Sequence, residues 1–459
     1  MRLRKRDLLA PVKSDLPLTF SRERISAHGG LELFRRYFAA IDLGGRLRVA
    51  FRGLALHGDY GAVRMVLCLI GFLLAGGRRI THLGVLERDP IFLRFVGWRQ
   101  LPSDRTVVRW LKALPFEAIE RLATVVRDIA YETLARAGFA RITVDVDGTV
   151  LRTGLFVDGT ARGFNPHHPK DKSYYPLTAH LAQTGQILRV WNRPGNVHDS
   201  HGAREFLRVV LDDLRERFGR RCPIEVRMDG AFCQPWMFPF LDEQGVEYAV
   251  KLPLWEWLHL RERIGARKRW TPVSVSVSGF ALRFEIPGWD LRQRVVVYRK
   301  RVFHRTRKNF QLDLFSPDDG HYEYSAVVTN KDLGISALWH FMGGRGGHEK
   351  TLGELKQHLA FEAIPTQDRV ANAVWQQLSA LTHNLVRAFQ LCVGVVRRPN
   401  TRKRTCLHRY ESLQTLRFTL IDQPVRVVRP AGRTQLRFAV SRNTQRRIER
   451  AEKRIARAA

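Results

Sequence analysis

"RITVDVDGTV", residues 141–150, sets two aspartates two positions apart in an otherwise apolar run. A strand alternates its faces with period two, so Asp145 and Asp147 project from one side, Val144 and Val146 from the other. Carboxylates that close repel each other unless a cation or a proton relieves them. A second apolar run, "IEVRMDGAF" (224–232), also ends on an acid directly before a glycine, Asp229. Ligands of open α/β sheets collect at the carboxyl ends of strands. Asp-Gly is also a common turn dipeptide, and each pair taken alone reads as a turn. Two such pairs, each closing an apolar strand, weaken that plain reading.

Charge sets the next bound. Of 459 residues, 77 are basic and 44 acidic, a net charge of +33. Such a balance says little about fold, but it points to a polyanionic partner, and a phosphate backbone is the commonest. A ribosome-associated or membrane-surface protein is the alternative. Cys68, Cys222, Cys233, Cys392 and Cys406 are scattered without a C-x-x-C pair. That argues against a zinc ribbon or a disulfide framework and fits a reducing cytoplasm. The basic start "MRLRKRDLLAPVK" has too short an apolar run for a signal peptide. "MVLCLIGFLLAGG" (65–77) falls short of the ~20 residues of a membrane span and reads as a buried helix.

The chain divides by its periodicity. Residues 1–138 form a polar arm with a strand-like "LPLTF" (16–20), then a helical region expected to bind DNA or dimerise. There "LPSDRTVVRWLKAL" (101–114) offers Ser103 or Asp104 as the cap of a helix carrying Arg105, Arg109 and Lys112. It reads either as the recognition part of a helix-turn-helix or as a helix with a solvated basic face. From 139 to 252 strands alternate with helices, which argues for an α/β sheet with some parallel pairing. Its strands include "GLFVDGT" (154–160). Residues 253–328 form an inserted β-like region carrying Trp255, Trp257, Trp270 and Trp289, each a core residue or a stacking platform for a base. Helices return over 329–395. Residues 396–459 read as a hairpin within "LRFTLIDQPVRVVRPAGRTQLRFAV" (416–440) and a basic helix.

A third acid lies in "MGGRGGHEKTLGELKQHLAFE" (342–362). Counted from Arg345, Glu349, Leu352 and Lys356 fall on one helical stripe. The stripe is either a site face or a solvated face with paired charges. The glycines let backbone or nucleic acid approach closely. "GGRGGHEKT" is not a phosphate loop, because Glu349 stands where that motif needs glycine. "NVHDSH" (196–201) offers His198, Asp199 and His201 as zinc ligands, but no partner cluster matches and it reads as a polar loop. His167 and His168, in "NPHHPKDKSYY" (165–175), are candidates for holding DNA.

"DVDGTV", "VRMDGAF" and "RGGHEKTLGELK" together resemble the acid-bearing motifs of bacterial insertion-sequence DDE transposases. Their third motif is Y-x2-R-x3-E-x6-K. Arg345, Glu349 and Lys356 match it, while the tyrosine position falls on Met342, beside Phe341. "LPSDRTVVRWL", "RPGN" and "VRVVRPAGR" resemble the insertion-sequence 1380-type branch. The resemblance implies an RNase H-like core: a mixed five-stranded sheet flanked by helices, with an all-α N-terminal region and a β-rich insertion before the last catalytic helix. It implies Asp147, Asp229 and Glu349 as catalytic metal ligands, Asp147 directly before glycine being preferred and Asp145 the backup.

The resemblance further implies a metal-dependent transposase that cuts insertion-sequence ends and joins them to target DNA. Two Mg²⁺ ions about 3.5–4 Å apart, with Mn²⁺ substituting, suit in-line displacement at phosphorus. Arg345 and Lys356 would hold phosphates. Arg105, Arg109, Lys112 and the basic tail would grip DNA. The implied partners are double-stranded DNA, as terminal inverted repeats and target, and further copies in a homodimer or higher homo-oligomer; no membrane is involved. The implied place is the bacterial cytoplasm, at the nucleoid. Two alternatives stay open: a catalytically inactive DNA-binding relic, and an RNase H-like nuclease without preference for element ends.

Overall fold

Strand β1 (Ile142–Gly148) runs through the interior of a nine-stranded mixed sheet. The computed structural model describes residues 15–56, 58–154, 156–163, 170–301, 322–397 and 406–458; His167 and His168 lie outside them. On one side of β1, β2 (Leu177–Leu181) pairs antiparallel with it, and β3 (Gln186–Trp191) antiparallel with β2. On the other side β4 (Ile224–Met228) and β5 (Glu247–Leu252) run parallel to β1. The local order is therefore β3-β2-β1-β4-β5. Strand β4 is buried along its whole length, and its two charged residues, Glu225 and Arg227, are both paired within the protein.

The inserted region lengthens this same sheet. After the short β6 (Thr271–Pro272) come β7 (Val277–Ile286), β8 (Leu291–Arg301) and β9 (Tyr322–Thr329). Strand β9 pairs antiparallel with β5, and β8, β7 and β6 follow outward. Period-two alternation announces these strands, but it carries no information on which strand they join. Trp255, Trp257 and Trp289 gather against one another, with ring centroids 5.3–6.3 Å apart.

The N-terminal region is helical: α1 (Leu31–Ala40), α2 (Leu43–Ala50), α3 (Ala62–Leu74), α4 (Pro90–Val96), α5 (Asp104–Lys112) and α6 (Glu117–Ala137). The greasy stretch is α3, buried as expected, and no described helix is long and apolar enough to cross a membrane. Ser103, rather than Asp104, caps α5 by accepting from the Thr106 amide. Helices α7 (Ala203–Phe218) and α8 (Met237–Glu243) cover the Val144 and Val146 face of β1, through Phe206, Leu207, Val210, Phe238 and Leu241. Then come α9 (Ile335–Gly343), α10 (Gly346–His358), α11 (Arg369–Val393) and the basic α12 (Arg442–Ala456).

Three local expectations shift. "LPLTF" is exposed and irregular; the strand there is Ile25–Ser26. The described residues of "GLFVDGT", 154 and 156–160, are not a strand. The pairing falls earlier, on Leu151–Thr153 with Lys172–Tyr174, and Asp158-Gly159 makes a turn. "LRFTLI" is helical, started by the Ser412 cap, so the hairpin is Val425–Val428 with Gln435–Phe438.

Helix α11 closes the open edge of the sheet. Asn384 accepts from the Ile187 amide (2.9 Å) and donates to the Ile187 carbonyl (2.7 Å), while Gln377 donates to the Val190 carbonyl (3.0 Å). An edge strand's unpaired backbone groups are thereby satisfied by side chains. Asn384→Leu strands both groups of Ile187. The expected loss is about 1–3 kcal/mol of stability, read from urea denaturation; an unchanged midpoint would refute the clasp.

Candidate active site

Because β1 and β4 are neighbours and parallel, their carboxyl ends lie side by side. Asp147 stands near the end of β1, and Asp229 directly follows β4. Asp229 also accepts from the Ala231 amide at 3.0 Å, which fixes the turn. The junction of α9 and α10 brings Arg345, at the N-cap of α10, with Glu349 one turn on. One Arg345 guanidinium then meets all three acids: Asp147 at 2.9 Å, Asp229 at 3.5 Å and Glu349 at 3.7 Å. Exposure rises along the set, from 16% for Asp147 through 32% for Asp229 to 67% for Glu349. Asp147 lies inside, and Glu349 forms the outer rim.

Among the described residues no three or more acids, histidines or cysteines are already gathered as a metal site. Arg345 stands between the acids. The set still fits a hard divalent cation in kind: it is all carboxylate oxygen, and it already converges on one positive group.

Asp145 shares the face of β1 but not the cluster. Its register partner on β4 is Arg227, and both side chains are fully buried. Arg227 takes both carboxylate oxygens, Nε to Oδ1 at 2.6 Å and Nη2 to Oδ2 at 2.8 Å. Its Nη1 donates to the Phe341 carbonyl at 2.6 Å, tying the end of α9 to the sheet. The backup ligand is thus engaged by a structural ion pair, because an arginine stands opposite it. A Cβ on Gly344 would lie 2.3 Å from Arg227 Nη1, so one of the glycines exists for a protein side chain, not for a ligand. His180 lies 3.4 Å from Asp145 and stacks in parallel on His348, 4.8 Å between centroids. His348 meets Thr178 of β2 at 3.0 Å, which docks α10 on the sheet.

The other expected residues divide. Lys356 is within reach of the cluster, but its Nζ donates to the Val150 carbonyl at 3.0 Å, tying α10 to the chain just after β1. Arg105, Arg109 and Lys112 are exposed on α5, whose apolar side is buried through Val107, Trp110 and Leu111. Among the described residues none of the three meets the acids of the cluster. "NVHDSH" assembles no zinc site, yet its Asp199 is buried and hydrogen-bonded to Tyr175 at 2.7 Å. Sequence reading missed Asp199 as a neighbour of the cluster, since nothing local marks it.

Residues 12–459 match the family model described as Transposase DDE domain group 1. The chain belongs to this family. DDE transposases generally use divalent metal ions, in keeping with the oxygen donors assembled here. Among solved structures the chain is similar to piggyBac transposase in a synaptic complex with hairpin DNA, with a TM-score of 0.44 and 12% identity over 87% of this chain and 83% of that one. No curated protein sequence matches it significantly.

The electrostatics of this DDE transposase follow from burial. Burial pushes the Asp147 carboxyl up, Arg345 pulls it back, and the charges of Asp229, Asp199 and Glu349 add to the rise, leaving it at about 7. Asp145 moves the other way. Against its burial, Arg227 and His180 hold it well below the usual carboxylate range. Lys356 is pushed down, chiefly by burial.

Two outcomes are expected. Arg227→Met strands the buried Asp145 charge and lowers stability by about 3–5 kcal/mol in urea denaturation, and adding Asp145→Leu recovers much of it. Asp147, whose folded pKa is raised above its unfolded value, binds its proton more tightly in the folded state. Its contribution is full below about pH 4 and lost as pH rises through about 7. In EDTA, the stability of the wild type relative to Asp147→Asn therefore increases as pH falls from 7 to 4. A flat difference would count against the raised value.

Proposed function

We propose that this protein cuts DNA at the ends of an insertion sequence and joins those ends to target DNA by hydrolysis and strand transfer. One observation carries the reading: carboxylates from β1, β4 and α10 converge on a single positive group at the carboxyl edge of the sheet. The order β3-β2-β1-β4-β5 supports an RNase H-like core. The Arg345, Glu349 and Lys356 spacing supports a Y-R-E-K type signature with Met342 in the tyrosine position, and "LPSDRTVVRWL", "RPGN" and "VRVVRPAGR" support the insertion-sequence 1380-type branch.

Asp147, Asp229 and Glu349 would hold two Mg²⁺ ions, or Mn²⁺ in their place. When bound, the ions supply activation of the attacking oxygen and stabilisation of the leaving one. The chain's own part is to position. Half-buried Asp147 and turn-fixed Asp229 form the rigid side of the site, and exposed Glu349 has room to turn inward. Arg345 keeps the acids together and has the planar fork that suits a phosphate. Lys356 steadies the segment after β1. Arg105, Arg109 and Lys112, with the basic α12, grip the DNA backbone in a salt-sensitive manner. The N-terminal helices recognise the ends, and two or more copies pair them in the bacterial nucleoid.

The test is cleavage of a labelled duplex carrying the element's own end, in Mg²⁺ and in EDTA, by wild type and Glu349→Gln. Mg²⁺-dependent nicking at the end, lost in the variant while DNA binding persists, is expected. Tight binding without cutting by the wild type, in Mg²⁺ and in Mn²⁺, would leave a DNA-binding relic. Cutting without preference for the end would leave a general nuclease.

A further inference from the structure

The loop between β3 and α7 holds a carboxylate that the reading above does not use. Asp199 is 6% exposed. Its Oδ2 accepts from the Tyr175 hydroxyl at 2.7 Å. Its Oδ1 lies against the backbone immediately after Asp147: a Cβ on Gly148 would sit 2.0 Å from it. The glycine of the first Asp-Gly pair is therefore required by the approach of a distant acid.

The loop is built to hold that position. Arg193 is 3% exposed, and its Nη1 donates to the carbonyls of His198 (3.2 Å), Asp199 (3.4 Å) and His201 (2.8 Å). Its Nε donates to the Tyr175 carbonyl at 3.2 Å. A guanidinium that merely neutralised Asp199 would set its fork on both carboxylate oxygens, as Arg227 does on Asp145. Here the fork goes to the backbone, and Nη2 reaches Oδ1 at 3.5 Å. Among the described residues, the ion pairs of Arg345 are with Asp147, Asp229 and Glu349, and not with Asp199. A buried carboxylate that meets Arg193 through one oxygen at 3.5 Å, and that feels the charges of two other carboxylates, is short of positive charge.

We propose that Asp199 is a fourth carboxylate of the metal site, held beside Asp147 and Asp229 by Tyr175 and Arg193. The proposal rests on the metal-dependent reading above. Two ions need more oxygen donors than three acids offer without heavy use of water, and Asp199 adds one against the backbone directly after Asp147.

The first test uses the wild-type, full-length chain with Fe²⁺ as the probe metal. Ascorbate and peroxide then cleave the backbone next to the bound ion, and fragments are mapped by mass spectrometry. Cuts at 147–149, 229–231 and 198–200 are expected. Cuts at the first two without the third would overturn the role of Asp199 and leave the metal site standing. Cuts at none would overturn both. A calorimetric Mn²⁺ titration gives a second readout: Asp199→Asn weakens binding about tenfold or more. Binding as tight as in the wild type would overturn the proposal.

Discussion

The buried pair of Asp145 and Arg227 is the constraint on which the site depends. It joins β1 to β4 side by side, and through the Phe341 carbonyl it fastens the end of α9 to both. Charges that deep are tolerated when both are paired and their remaining donors satisfied. Arg227 meets that demand with every nitrogen. Its position two residues before Asp229, and that of Asp145 two before Asp147, sets both site acids one pleat further along the same face. The buried ion pair and the two acids of the candidate site are successive steps along the same two strands.

Beside it, the cluster inverts the charge of the molecule. A chain with a net charge of +33 gathers Asp147, Asp229, Glu349 and Asp199 at one edge of its sheet. Such a spot is the natural focus for a small cation, while the basic remainder attracts a polyanion. Arg345 bridges the two demands. It stabilises the acids where they meet, and it sits on α10, whose docking through His348 and Lys356 fixes how far the helix stands from β1.

The strands carrying Asp147 and Asp229 were legible because apolar runs ending in Asp-Gly are local signals. Arg345, Glu349 and Lys356 were legible because helical spacing is local too. The inserted β region could be read as strands, but not as an extension of β5, since alternation does not name a partner. "GLFVDGT" misled because Val157 is buried without being in a strand. The partners of Asp145 and Asp199 were beyond reach for the same reason. Arg227 and Tyr175 become neighbours of these acids by strand pairing and loop closure, and no spacing rule foretells that.

The two ends of the chain are sewn together. Ile25–Ser26 pairs with the strand at Val425–Val428, Arg36 of α1 meets Glu452 of α12, and one continuous core includes both Leu31 and Ile455. The apolar surface of the N-terminal helices is therefore covered by residues distant in sequence. Folding of that half needs a closure between Ile25–Ser26 and Val425–Val428, a contact of high sequence separation that is slow to form. Loss of α12 removes a wall of the N-terminal core as well as a basic helix, and it leaves the apolar α3 in a loosened region prone to aggregate.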